Sequence, residues 1–148
     1  MRVYLDNCCY NRLFDDRSNI KNYLEREAIL LVFMLVCNNE ITVVGSEVLK
    51  AEIAAMNNQL KKKLVQLVYE RMVSEHIETH GYVVRRAKEL ASQIGTSAYD
   101  SLHLASAEGN ADYFLTTDAK LIKASKRTRE DFRVMNPIEF VMEVTNNE

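Results

Sequence analysis

A chain of 148 residues, 47% hydrophobic and 27% charged, carries enough apolar material for one ordinary globular core. Its net charge of −2 excludes whole-molecule attraction to nucleic acid or anionic lipid, so any polyanion would have to meet a local patch. Three cysteines (Cys8, Cys9 and Cys37) are too few for a disulfide scaffold or a closed zinc site, and they fit a reducing, cytosolic setting.

"RVYLD" (2–6) reads as a short buried strand, and the acid at position 6 interrupts any signal-peptide core. The piece after it, "NCCYNRLFDDRSN", reads as polar and irregular. From Ile20 to Asn39, the apolar positions Ile20, Leu24, Ala28, Leu31 and Leu35 recur at the spacing of a core-facing helical stripe. The apolar run from Ala28 to Cys37 is too short to cross a bilayer. "ITVV" (41–44) predicts a second buried strand, closed by Gly45 and by Ser46 as a helix N-cap.

"EVLKAEIAAMNN" then reads as helical, and Leu60, Leu64, Leu67 and Val68 mark a further helix. "HIETH" (76–80) is a strand candidate. Val83, Ala87, Leu90 and Ile94 predict a helix over 81–94, stopped by Gly95. "TSAYDSLHLASAEGN" is a helix opened by Thr96 or Ser97, and "DYFLT" (112–116) is a strand. Residues 119–126 form a short helix, Phe132 to Met135 a last strand, and Pro137 opens the final helix. Short apolar strands alternating with amphipathic helices predict a single α/β domain over 1–148, without linker or repeat, built on a mostly parallel sheet.

In such sheets polar groups gather beyond the C-terminal ends of the strands. Asp6 and Asp118 fall there, and Glu52 and Asp100 sit one or two turns inside helices that begin nearby. Each has a structural explanation: a turn acid at Asp6, a solvated helix face at Glu52, a capping-box spacing from Ser97 at Asp100, and an N-cap at Asp118. Together they read differently. Clustered carboxylates repel one another unless a cation or protons neutralise them, and an all-oxygen site suits Mg2+ or Mn2+. Such a site supports phosphodiester cleavage.

"VYLDNCC", "SEVLKAE", "SAYDSLHLASA" and "ADYFLTTDAKL" resemble, in order and approximate spacing, the four signature regions of PIN domains, and they cover nearly the whole chain. The resemblance implies a three-layer α/β/α fold and a metal-dependent ribonuclease, in many small members the toxin of a toxin–antitoxin pair. It implies Asp6, Glu52, Asp100 and Asp118 as the acidic quartet. Asp6, Asp100 and Asp118 would hold the metal, and Thr116 would support the acid two residues on. Asn7 stands where many members carry a small hydroxyl residue and can still hydrogen-bond a water or phosphate. Glu47 competes with Glu52 and is better explained as a first-turn acid. The further acid that the family often carries after the fourth has no match in "AKLIK", and Glu130 and Asp131 come late. An antitoxin partner and a homodimer, with 58–73 as its surface, are family expectations.

His103, three residues after Asp100, reads as a satisfied, partly buried histidine that could touch that acid. Cys8 and Cys9 read as small buried hydrophobes, and His76 and His80 lack metal spacing. Of the basic stretches, "KKK" (61–63) reads as a solvated face, "RRAK" (85–88) has no assigned role, and "KASKRTR" (123–129) can guide an RNA backbone. Arg12, Lys120 and Lys123 are the candidate RNA contacts. The rival readings are a non-catalytic PIN-like module that binds RNA or protein, and a phosphatase or receiver domain whose motifs the residues around Asp6 do not match.

Overall fold

A computed structural model describes residues 1–128 and 133–147. β1 (Arg2–Leu5) leads into α1 (Asn7–Arg12) and α2 (Ile20–Cys37), and β2 (Thr42–Ser46) into α3 (Glu47–Ala54) and α4 (Gln59–Met72). β3 (Val73–Ile77) precedes α5 (Gly81–Ile94) and α6 (Ala98–Ala107). β4 (Tyr113–Leu115) precedes α7 (Ala119–Ser125), and β5 (Arg133–Met135) precedes α8 (Pro137–Asn146).

The five strands form one sheet in the order β3-β2-β1-β4-β5, and every pairing is parallel. Val3, Tyr4 and Leu5 alternate between the two faces of β1, yet all three are fully buried. Helices therefore cover both sides of the sheet, which gives the three-layer α/β/α architecture. The strand order grows outward from β1 in both directions, so the chain reverses there and a crevice opens beyond its C-terminal end.

Much of the predicted punctuation holds. Ser46 and Ser97 cap α3 and α6 through their side chains, and Gly95 ends α5 at φ 69, a left-handed position that suits glycine. Four expectations shift. Residues 7–12 are helical rather than irregular: Asp6 caps them by accepting from the Asn7 amide, and Cys9 and Tyr10 are fully buried. α2 forms where predicted but presents a different face. Glu25, Ala28, Ile29, Val32 and Phe33 point inward, whereas Ile20 is 77% and Leu24 49% exposed. Buried Glu25 breaks the apolar pattern that would have set the phase. On α4, Val65 and Tyr69 are buried and the predicted marker Leu60 is outward. β3 starts at Val73, before the predicted 76–80, because Val73 is the residue that packs inward while this edge strand leaves Ser74, Glu75 and His76 exposed. Arg129, Glu130, Asp131 and Phe132 lie outside the described residues.

Gly45 is required by packing. A Cβ there would lie 2.0 Å from the Tyr69 hydroxyl oxygen, so glycine alone lets α4 close onto β2 next to Ser46.

Candidate metal centre

Asp6 follows the central strand directly. Its backbone N–H donates to the Leu115 carbonyl at 2.9 Å, which extends the β1–β4 ladder and carries the residue into the crevice. The carboxylate is buried. Oδ1 accepts from the Asn7 amide at 2.8 Å, and Oδ2 accepts from the Thr116 hydroxyl at 2.8 Å and from the Cys8 thiol at 3.4 Å. Burial pushes the Asp6 pKa up. Nearby His103 and the Thr116 hydroxyl pull it back only in part, and Glu52 adds repulsion.

Glu52 projects from α3, beyond the turn fixed by Ser46. Its Oε2 lies 2.6 Å from Nε2 of His103, a fully buried side chain on α6. Ligand atoms of Asp6, Glu52 and His103 all lie within 4.8 Å of one another. Burial raises the Glu52 pKa, but the hydrogen bond and the nearness of the His103 ring, with a further hydrogen bond from Asn7, outweigh it, so the net shift is downward. The two central acids thus sit in opposite electrostatic states. Asp6 resists ionisation, and Glu52 favours it.

Asp100 occupies the first turn of α6, where its amide donates to the Ser97 hydroxyl at 3.2 Å. Burial raises its pKa, the Ser97 bond lowers it, and repulsion from Asp6 and Asp118 raises it further. Asp118 caps α7: Oδ1 accepts from the amides of Lys120 and Leu121 at 3.0 and 3.2 Å. Both cap bonds fall on one oxygen, so Oδ2 takes no part in capping. The crevice therefore holds an inner group of Asp6, Glu52 and His103, with Asp100 and Asp118 within electrostatic reach of each other.

Thr116 serves both acids. Its hydroxyl donates to Asp6 and accepts from the backbone amide of Asp118 at 3.1 Å, so it reaches the later acid through the backbone. Asn7 is buried, and its Oδ1 accepts from Asn11 at 3.0 Å. Arg12 is engaged with Asp15 at 2.8 Å, Thr117 at 3.3 Å and buried Glu25 at 3.2 Å. Lys120 and Lys123 are exposed on α7, just beyond Asp118. Lys61 bonds Asp15 at 2.6 Å, so the "KKK" stretch is not simply solvated. Glu47 accepts from the Thr79 amide at 2.8 Å, which gives it a structural role.

Sequence spacing did not find the partners of His103. Its ring bonds Tyr4, 99 residues away, and Glu52, 51 residues away, rather than only facing Asp100 on its own helix. The available signal was a histidine embedded in the apolar flank of α6, where a buried imidazole needs polar partners on neighbouring elements.

The donor set fits a divalent cation. Carboxylates of Asp6 and Glu52 come together from β1 and α3, Asp100 and Asp118 add charge from α6 and the β4–α7 junction, and burial with like-charge repulsion holds Asp6 and Asp100 above the usual range. A hard cation relieves that condition.

No protein-family model matches the chain, and no curated protein matches it. Solved structures do. VapBC2 from Rickettsia felis, bound to a DNA fragment from its promoter, aligns over 92% of this chain and 98% of that chain, with TM-score 0.62 and 16% identity. FitAcB from Neisseria gonorrhoeae aligns over 91% and 97%, with TM-score 0.61 and 17% identity. FitAB bound to an IR36 DNA fragment aligns over 92% and 95%, with TM-score 0.62 and 17% identity. At these identities the shared property is the fold, and it is the PIN-type α/β/α fold that the four sequence regions resemble.

Proposed function

We propose that the chain is a PIN-domain ribonuclease that hydrolyses RNA phosphodiesters with Mg2+ or Mn2+, and that it acts as the toxin of a toxin–antitoxin pair. The observation that carries this reading is the buried Asp6 carboxylate at the end of the central strand, with Glu52 beside it and with Asp100 held above the usual carboxylate range by burial and by the charges of Asp6 and Asp118. Asp6, Asp100 and Asp118 would hold the cation. When bound, it would polarise the phosphoryl oxygen, acidify a water and stabilise the leaving oxygen.

The chain's own residues prepare that pocket. Thr116 and the Asn7 amide fix the Asp6 carboxylate, and Glu52 completes the negative pocket while held by His103. Lys120 and Lys123 offer exposed ammonium groups to RNA phosphates on the flank beyond Asp118. Arg12 serves first as a brace, since it ties the Thr117 segment to Glu25 and Asp15.

Exposed apolar residues support protein partners. Ile20, Leu24, Leu31 and Met34 lie outward on α2, and Leu60 and Leu67 on α4. One such surface would take an antitoxin, and the 58–73 region a second copy of this chain. VapBC2 and FitAB are each seen bound to DNA. With a net charge of −2, this chain fits an assembly in which a partner makes the DNA contact. The same apolar faces favour, as a second reading, a non-catalytic module that binds RNA or protein.

The test is cleavage of RNA by the purified chain with Mn2+, compared with Asp6→Asn and Asp100→Asn variants that retain their circular dichroism spectra. Cleavage lost in both variants is the expected result. A wild-type chain that cleaves no RNA and binds no Mn2+ would establish the second reading.

A further inference from the structure

His103 joins a chain of hydrogen bonds that starts and ends on the same helix. The Leu49 amide of α3 donates to the Ser46 hydroxyl oxygen at 3.0 Å. Ser46 and the Tyr4 phenol are 2.7 Å apart, Tyr4 and Nδ1 of His103 are 2.6 Å apart, and Nε2 of His103 is 2.6 Å from Glu52 Oε2. Ser46, Tyr4 and His103 are fully buried, so each of their polar hydrogens needs an acceptor.

Only one direction satisfies all of them. Ser46 donates to Tyr4, Tyr4 donates to Nδ1, and the Nε2 proton goes to Glu52. In the reverse direction Nδ1–H donates to Tyr4 and Tyr4 donates to Ser46, whose own hydroxyl hydrogen then finds no acceptor among the described residues. The bare Nε2 lone pair would also face an ionised carboxylate at 2.6 Å. A doubly protonated ring strands the same Ser46 hydrogen. Burial also keeps the Tyr4 phenol protonated and able to donate.

We propose that Tyr4 and His103 are positioning residues for Glu52: the one-way chain locks the imidazole in its Nε2–H form and commits Glu52 Oε2 to the ring, which holds that carboxylate in place beside Asp6. His103 then has no lone pair for a metal although it lies among candidate ligands, and the site stays all-oxygen. An all-oxygen site takes Mg2+ or Mn2+, whereas an imidazole nitrogen would turn it toward Zn2+ and similar ions. The hydrogen bonds also tie α3 to β1 and α6, so Glu52 keeps its place relative to Asp6. This inference rests on the metal-site reading above, yet it concerns ring protonation and ion binding that can be measured without RNA.

The experiment is 15N–1H NMR of the His103 ring, metal-free and with Mg2+, together with Mn2+ calorimetry on wild type, His103→Ala, His103→Gln and Tyr4→Phe. The expected spectrum shows a protonated Nε2 and an unprotonated Nδ1, both unchanged by Mg2+. His103→Ala should weaken Mn2+ binding by roughly 10–100-fold, the usual cost of removing a group that orients a ligand. His103→Gln, whose amide can donate near the Nε2 position, should recover most of that loss, and Tyr4→Phe should mix the ring tautomers. A proton on Nδ1, an Nε2 signal that changes to the coordinated type with Mg2+, or unaltered Mn2+ affinity in His103→Ala overturns the proposal. Because the spectrum is read on wild type, a variant that fails to fold does not decide the matter. If ring and affinity behave as expected while no RNA is cleaved, the positioning chain stands and the ribonuclease reading falls.

Discussion

The two ends of the sheet handle charge in opposite ways. At the N-terminal end, a cleft of about 990 Å3 is lined by Arg2, Arg86, Arg127, Arg133, Tyr82 and Glu108, among others. Its arginines are largely matched with acids: Arg2 with Glu75, Arg86 with Glu108 and Glu89, and Arg133 with Glu143 while its guanidinium stacks over Tyr113. At the C-terminal end the four acids have no arginine or lysine ion-pair partner among the described residues. They crowd with like charges instead. The N-terminal cleft is electrostatically matched, whereas at the other end Asp6 and Asp100 are held above the usual carboxylate range, so perturbed acids, more than concavity, single out the candidate site.

That contrast can be tested from its strongest element downward. Arg12→Leu should have the largest effect on folding, because it leaves buried Glu25 with the Asn136 amide at 2.6 Å as its remaining partner. Removing one member of a buried pair costs about 3–5 kcal/mol, readable by urea unfolding. Asp6→Asn should lower the rate of RNA cleavage by roughly 10^2–10^3-fold, the scale of losing one charge-stabilising group. It should still fold, since asparagine caps a helix as well as aspartate does. Mn2+ at a hundredfold its Kd should stabilise the wild type by about 2.7 kcal/mol in a thermal melt, and this gain should vanish in Asp6→Asn.

The acids also predict opposite pH responses in the metal-free protein. Asp6 and Asp100 have folded pKa values raised from 3.8. Below pH 3.8 both folded and unfolded forms are protonated. As pH climbs through the raised values, the unfolded chain ionises first and stability falls. Glu52, lowered from 4.5, contributes stability above that pH and loses it as pH drops through its folded value. Urea titrations across this range should therefore flatten the fall with rising pH in Asp6→Asn and remove the acid-side loss in Glu52→Gln. The smallest effect belongs to the far end: Arg133→Gln should cost about 0–1 kcal/mol and leave RNA cleavage unchanged. A large loss of cleavage in that variant would break the contrast between the two ends.

Local chemistry made much of the fold legible. Ser46, Ser97, Asp118 and Gly95 announce helix ends because caps act over two or three residues. Asp6 and Asp118 were readable as strand-end acids for the same reason. The face of α2 was not, because its inward set includes Glu25, whose acceptability depends on Arg12 and on Asn136, 111 residues away. α1 was missed because its burial comes from Cys9 and Tyr10, with Tyr10 packed on Phe33 and Tyr69, and not from any apolar period. His103 was assigned to its own helix because sequence shows i,i+3 neighbours, whereas its partners belong to β1 and α3.

The Thr116 hydroxyl that holds the Asp6 carboxylate comes from a residue 110 positions later. At a synthesis rate of about 5–20 residues per second, the ribosome finishes that partner roughly 5–20 seconds after it has made Asp6. A growing chain stopped before β4 has Asp6, Glu52 and Asp100 but neither Asp118 nor the strand that carries Thr116. The four acids, and the hydroxyl that holds the first of them, therefore exist together only once β4 and the start of α7 have been made.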